Sequence, residues 1–290
     1  MNFPIIDSHI HLWDKNHLNY PWLEHYPDLN ESFLLSDLMD ATKALHLESF
    51  VVVQSECDRA QSLEEVEWLA KLSQRDARIR GIVAYASLEQ GNDVHAYLTV
   101  LKAMSPLVKG VRRALLMESA DFCLEEKFVA GVKLLAEFNF TFDLCIYPNQ
   151  LSAALRLVEQ CPEVKFVLNH LAMPSIAEKK LQPWQDDLAA LAKLPNVWCK
   201  LSGLITNANH HTWCFEDLRP YVFHALDVFG IDRVMFGSDW PIVNLAGSYS
   251  HWVHTLYDLF SHAPEQDWRK LFYENASNCY GLVPVVVELG

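Results

Sequence analysis

Glycine is scarce in this sequence, at 10 of 290 residues with 13 prolines, so a collagen-like, Gly/Ser-linked or low-complexity chain is excluded. No GxGxxG and no GxxxxGK[ST] occurs, which removes the usual sequence signal for a dinucleotide or nucleoside triphosphate. The seven cysteines are scattered and contain no CxxC pair. That argues against a disulfide framework or a structural zinc knuckle and leads us to expect reduced thiols in a cytoplasm. Basic residues are few: 23 Lys and Arg against 37 Asp and Glu give a net charge of −14, unfavourable for binding nucleic acid or an anionic membrane surface. No apolar run approaches the roughly 20 residues that span a bilayer. The start, Met1-Asn2-Phe3-Pro4-Ile5-Ile6-Asp7, lacks the basic and apolar regions of a secretory signal.

What is present is an apolar chain, 51% hydrophobic and 21% charged, with ample material for a large core. Eight short apolar runs recur at 3–6, 50–53, 79–85, 107–111, 140–146, 164–168, 197–201 and 234–236. Several lack polar alternation, as expected of parallel strands covered on both faces. Stretches with helical spacing separate them, at 93–104, 125–137, 151–159, 184–194, 214–229 and 252–261, with shorter ones after Ser36 and after Ser62. Ser62 and Glu65 form a capping-box pattern. No linker divides the chain, so we expect one domain over 1–290. Eight strand–helix units most simply close into an α/β fold of the (β/α)8 TIM-barrel type, an open doubly wound sheet being the alternative.

In a barrel the chemistry belongs at the C-terminal ends of the strands. The first run leads into Asp7-Ser8-His9-Ile10-His11, where alternation of an extended chain puts both imidazoles on one side, able to reach one ion. The eighth leads into Gly237-Ser238-Asp239, a carboxylate placed to ligate a metal or orient a water beside a glycine that admits close backbone approach. Barrel closure makes the first and eighth strands neighbours, which predicts that Asp239 sits near His9 and His11. The sixth run leads into Asn169-His170, a third imidazole able to ligate metal, polarise a carbonyl or move a proton.

Together, DSHIHLWD at 7–14, FGSDWP at 236–241 and NASNCY at 275–280 resemble the amidohydrolase superfamily, in particular its amidohydrolase 2 type. Further segments are similar to the sugar-lactone and dicarboxylate-lactone hydrolases: YPWL at 20–23, KGVRR at 109–113, FDL at 142–144, NHLAMP at 169–174 and KLSGL at 200–204. The resemblance spans nearly the whole chain and implies a lactonase of the L-fuconolactonase or L-rhamnonolactonase kind. It implies Asp239 as general base and His9, His11, Asp239 and His170 as ligands of one divalent metal, zinc by preference, or as holders of the water where no ion is used. It also implies Arg112 or Arg113 as the binder of substrate carboxylate or hydroxyls through a planar fork of donors.

The pattern departs from other members in two places. Lys109 precedes Gly110 at the start of the fourth run, which speaks against a bridging lysine and a two-metal centre. The region after the fifth run, Ile146-Tyr147-Pro148-Asn149-Gln150, offers no histidine. Of the remaining residues, Tyr20 and Trp22 either close over a sugar ring or anchor their loop, and Gln54 and Glu56 line the pocket. Cys57 lacks a base partner and is expected to be inert. His210 and His211 read as solvated loop residues. The expected partner is a small lactone, oligomeric state being left open. Two competing readings are a nonoxidative decarboxylase of the same superfamily and a catalytically silent barrel that binds a small acid.

Overall fold

The computed structural model describes residues 3–282; Met1, Asn2 and 283–290, which the expected domain bounds include, lie outside the described residues. Eight strands run parallel in chain order: β1 (Ile5–Ile10), β2 (Leu47–Val53), β3 (Ile79–Ala84), β4 (Val108–Val111), β5 (Thr141–Leu144), β6 (Phe166–Leu168), β7 (Val197–Leu201) and β8 (Val234–Phe236). Around them lie α1 (Leu35–Thr42), α2 (Ser62–Ser73), α3 (His95–Met104), α4 (Glu126–Leu134), α5 (Leu151–Gln160), α6 (Trp184–Ala192), α7 (Phe215–Phe229) and α8 (Tyr249–Leu259), followed by α9 (Glu265–Arg269) and α10 (Asn275–Tyr280). The fold is the expected (β/α)8 barrel. Among the described residues no helix is long and apolar enough to cross a membrane.

Side-chain alternation sorts each strand into an outer set beneath the helices and an inner set along the axis. Phe142, Phe166, Cys199 and Val234 belong to the outer core. Ile6, Val51, Val83, Val167 and Met235 pack together inside, covered by Ala276, Cys279 and Tyr280 of α10. One level higher the inner residues become polar: Asp143 on β5 and Lys200 on β7 are fully buried.

The last strand pair closes through the motif segments rather than through a regular ladder. Asp239 N donates to His9 O at 2.9 Å and His11 N to Trp240 O at 2.7 Å. Asp7 Oδ1 accepts from His9 N at 2.9 Å and from Ser238 N at 3.0 Å, stitching β1 to the end of β8. Burial pushes the Asp7 carboxyl up to about 6 despite these donors. The first strand is longer than its apolar run indicates, because Asp7, Ser8 and His9 continue it. The Ser62–Glu65 capping box does not form. Ser62 Oγ donates to Arg59 O at 2.8 Å, while Glu65 Oε1 accepts from Ser55 N at 2.9 Å and so braces the end of β2.

Candidate active site

A cavity of about 240 Å³ opens at the C-terminal end of the barrel. Its polar wall is His11, Glu56, Arg112, His170 and Asp239, and Trp22, Leu116, Ile242 and Leu245 contribute an apolar wall. Three imidazoles converge on one carboxylate oxygen. Asp239 Oδ1 lies 3.6 Å from His9 Nε2, 3.5 Å from His11 Nε2 and 3.8 Å from His170 Nε2. Residues far apart in the chain meet because β1, β6 and β8 each deliver one piece to the same rim. Gly203 and Gly237 keep the rim compact: a Cβ at Gly203 would stand 2.8 Å from His170 Nδ1, and one at Gly237 2.9 Å from His9 Cβ.

Hydrogen bonding fixes the ring protons by elimination. His11 Nδ1 is 2.8 Å from Val53 O, which only accepts, so this nitrogen carries the proton. Its Nε2 then accepts from His9 Nε2 at 3.1 Å, and His9 Nδ1 accepts from Lys200 Nζ at 3.1 Å. Lys200 is ion-paired with Asp143 at 2.6 Å, and Asp143 also receives Asn169 Nδ2 at 3.0 Å and the Tyr280 hydroxyl at 3.0 Å. A polar column thus runs from α10 up the barrel axis to the cavity. His9 lies beneath the cavity floor, fully buried.

Burial sets the electrostatics. It depresses all three imidazoles, His9 further through Lys200, and His170 falls to about 4 even though Asp239 pulls it upward. For Asp239 burial acts in the raising direction, but His170, His11 and Arg112 outweigh it and hold the carboxyl below its usual range. The centre therefore presents neutral imidazoles around an ionised carboxylate near pH 7. His9, His170 and Asp239 have donor atoms all within 4.8 Å of one another, a spacing that can hold a metal ion, and His11 Nε2 stands 3.5 Å from the same Asp239 oxygen. The residues fit a divalent ion. His11 Nδ1 on a backbone carbonyl and His170 Nδ1 on Ser202 Oγ at 2.8 Å supply the outer hydrogen bonds that ligating histidines use. His9 would join the ligand set through Nε2 only with its ring proton on Nδ1, which the Lys200 ammonium, having no acceptor, would have to vacate.

Other expected residues divide. Arg112 lines the cavity, donates from Nη2 to Gln54 O at 2.6 Å and leaves its buried Nε without a partner. Arg113 turns away into Glu89 at 3.1 Å and Glu118 at 2.5 Å, so its guanidinium is committed elsewhere. Trp22 lines the cavity and donates Nε1 to Ser55 O at 2.8 Å. Tyr20 instead packs with Trp13, Leu18, Leu23 and Leu29, as a loop anchor would. Gln54 is buried short of the cavity, its amide spent on Glu56 and the Arg112 carbonyl. Burial and neighbouring acidic groups raise the Cys57 thiol, opposing nucleophilic use. His210 and His211 are exposed. Lys200 and Asp143 were missed as site residues, although a charge between apolar strand neighbours was a usable signal.

A parallel barrel with histidines and an aspartate gathered at its strand ends defines a hydrolase of the water-activating kind. The chain belongs to the amidohydrolase family, whose model matches residues 6–282. It is 30% identical over 292 residues to an L-fucono-1,5-lactonase of Burkholderia multivorans, covering 96% of each chain. It is 23% identical over 337 residues to an L-rhamnono-gamma-lactonase of Scheffersomyces stipitis, covering 97% of this chain and 99% of the relative. An amidohydrolase structure from Burkholderia multivorans with bound zinc superposes with a TM-score of 0.87 at 29% identity, over 97% of this chain and all of the other.

Proposed function

We propose that this hydrolase opens the lactone of a sugar acid, an aldonolactone of the fucono or rhamnono kind, in carbohydrate catabolism in the cytoplasm. The observation that carries the reading is the convergence of three neutral imidazoles on the ionised Asp239 at the floor of a cavity with one guanidinium. Asp239 takes a proton from water, and the hydroxide adds to the lactone carbonyl carbon. Arg112 and the His170 imidazole face the oxyanion, where one well-placed donor contributes on the order of 3 kcal/mol. The ring C–O bond then breaks, and the alkoxide recovers the proton from Asp239, leaving a hydroxy acid. Trp22 covers the substrate's apolar edge. A divalent ion held among His11, His170, Asp239 and His9 would polarise the carbonyl and acidify the bound water.

The test is proton release from a panel of five- and six-carbon aldonolactones, before and after chelation. Turnover abolished by Asp239→Asn supports the reading. Carbon dioxide release from aromatic carboxylic acids would replace it with a decarboxylase, and binding of small acids with no turnover would replace it with a silent barrel. Activity that persists after exhaustive chelation assigns water activation to the side chains alone.

A further inference from the structure

Among the described residues, six of the eight non-glycine positions with positive φ are Glu56, the run His170 to Met173, and Asp239. Such backbone is costly for a residue with a Cβ and collects at functional sites. His170 and Asp239 already have work in the proposed chemistry; Glu56, at φ 53, has none. Its conformation is imposed from several sides. Glu56 N donates to Gln54 Oε1 at 2.6 Å, and Gln54 Nε2 donates back to Glu56 Oε1. Glu65 holds the preceding Ser55 N, and Arg112 Nη2 lies 3.9 Å from Glu56 Oε1. The outcome is a carboxylate lining the cavity with its side chain 43% exposed. Glu56 Oε2 accepts no hydrogen bond from the described residues.

We propose that Glu56 is a specificity-determining residue, accepting hydroxyl groups of a neutral polyhydroxylated lactone and excluding lactones that carry a carboxylate. The proposal rests on the lactone reading above and deepens it. A carboxylate held open at a cavity wall accepts strongly from hydroxyl donors. It also offsets the Arg112 guanidinium that would otherwise draw an anionic substrate, and like-charge juxtaposition is an effective means of rejection. The strained turn serves this end, since an extended residue 56 would aim its side chain elsewhere.

The experiment compares a neutral hexonolactone with the same ring bearing a carboxylate, using wild type, E56Q and E56G. The expected result is a crossing: E56Q lowers kcat/KM for the neutral lactone about tenfold and raises it for the carboxylated one about tenfold. In wild type, added salt raises kcat/KM for the carboxylated lactone through screening, and in E56Q that dependence disappears. E56G, whose backbone accepts the positive φ, shows the same crossing without a lower Tm. If both lactones shift in the same direction by similar factors, Glu56 is merely structural and the proposal is overturned. Should wild type open neither lactone, the lactone reading fails on its own. Calorimetry with a neutral sugar lactam and its carboxylated counterpart then decides: a neutral preference that E56Q abolishes sustains Glu56 as the discriminator, and equal preferences remove it.

Discussion

The two ends of the barrel interior are built from the same strands on opposite principles. At the lower end Ile6, Val51, Val83, Val167 and Met235 form an apolar plug. At the upper end His9, Arg112, Asp143, Asn169, His170, Lys200 and Asp239 are all buried, and left-handed residues carry the chain around the rim. Burying apolar area is favourable without partners, whereas each buried polar group costs free energy unless it is hydrogen-bonded. The contrast teaches that the plug holds the barrel together so that the upper layer can be arranged for reactivity.

The sharpest way to break that contrast is Asp239→Asn at the upper end. Turnover should fall about 10³-fold or more, the scale of a lost general base, with Tm nearly unchanged; steady-state kinetics beside a melting curve checks it. Next, Lys200→Met strands Asp143 as a buried unpaired charge and should cost about 3–5 kcal/mol in denaturant unfolding. Adding Asp143→Leu should restore most of the stability but not the turnover, because His9 Nδ1 has lost its donor. At the lower end, Met235→Ala should cost about 3 kcal/mol through a cavity while leaving kcat within a few-fold. A large drop in kcat there would erase the division between the ends.

The last effect concerns pH. Burial raises Glu65 from 4.5 to about 7. Below the lower value the carboxyl is protonated in folded and unfolded chains alike, so its burial costs no charge. As pH rises from 4.5 toward 7 the unfolded chain ionises first, and wild type loses stability that Glu65→Gln does not lose. The stability difference should therefore move toward the variant by about 3 kcal/mol between pH 4 and pH 8. A flat difference would mean that Glu65 is not held protonated behind Ser55.

Much of this was legible in the residues. The eight apolar runs mark the strands because parallel strands buried on both faces must be apolar, and His9, His11, His170 and Asp239 were found from their places at strand ends. The start of the site was harder to read. The first run seemed to stop at Ile6 because Asp7 interrupts it, yet the strand continues through this buried carboxylate because His9 N and Ser238 N both donate to its Oδ1. Arg112 and Arg113 could not be separated beforehand, since the choice depends on Glu89 and Glu118, acids brought in by folding. Tyr20 and Gln54 have suitable chemistry but are consumed by packing and by a bracket around Glu56. Such commitments are tertiary and leave no local trace.

The Tyr280 phenol touches both carboxylate oxygens of Asp143 at 3.0 Å, and it arrives on α10, after every strand has been made. The column beneath the histidines is complete only with this helix seated from below, so the seating of α10 and the order of the centre above it are mechanically linked.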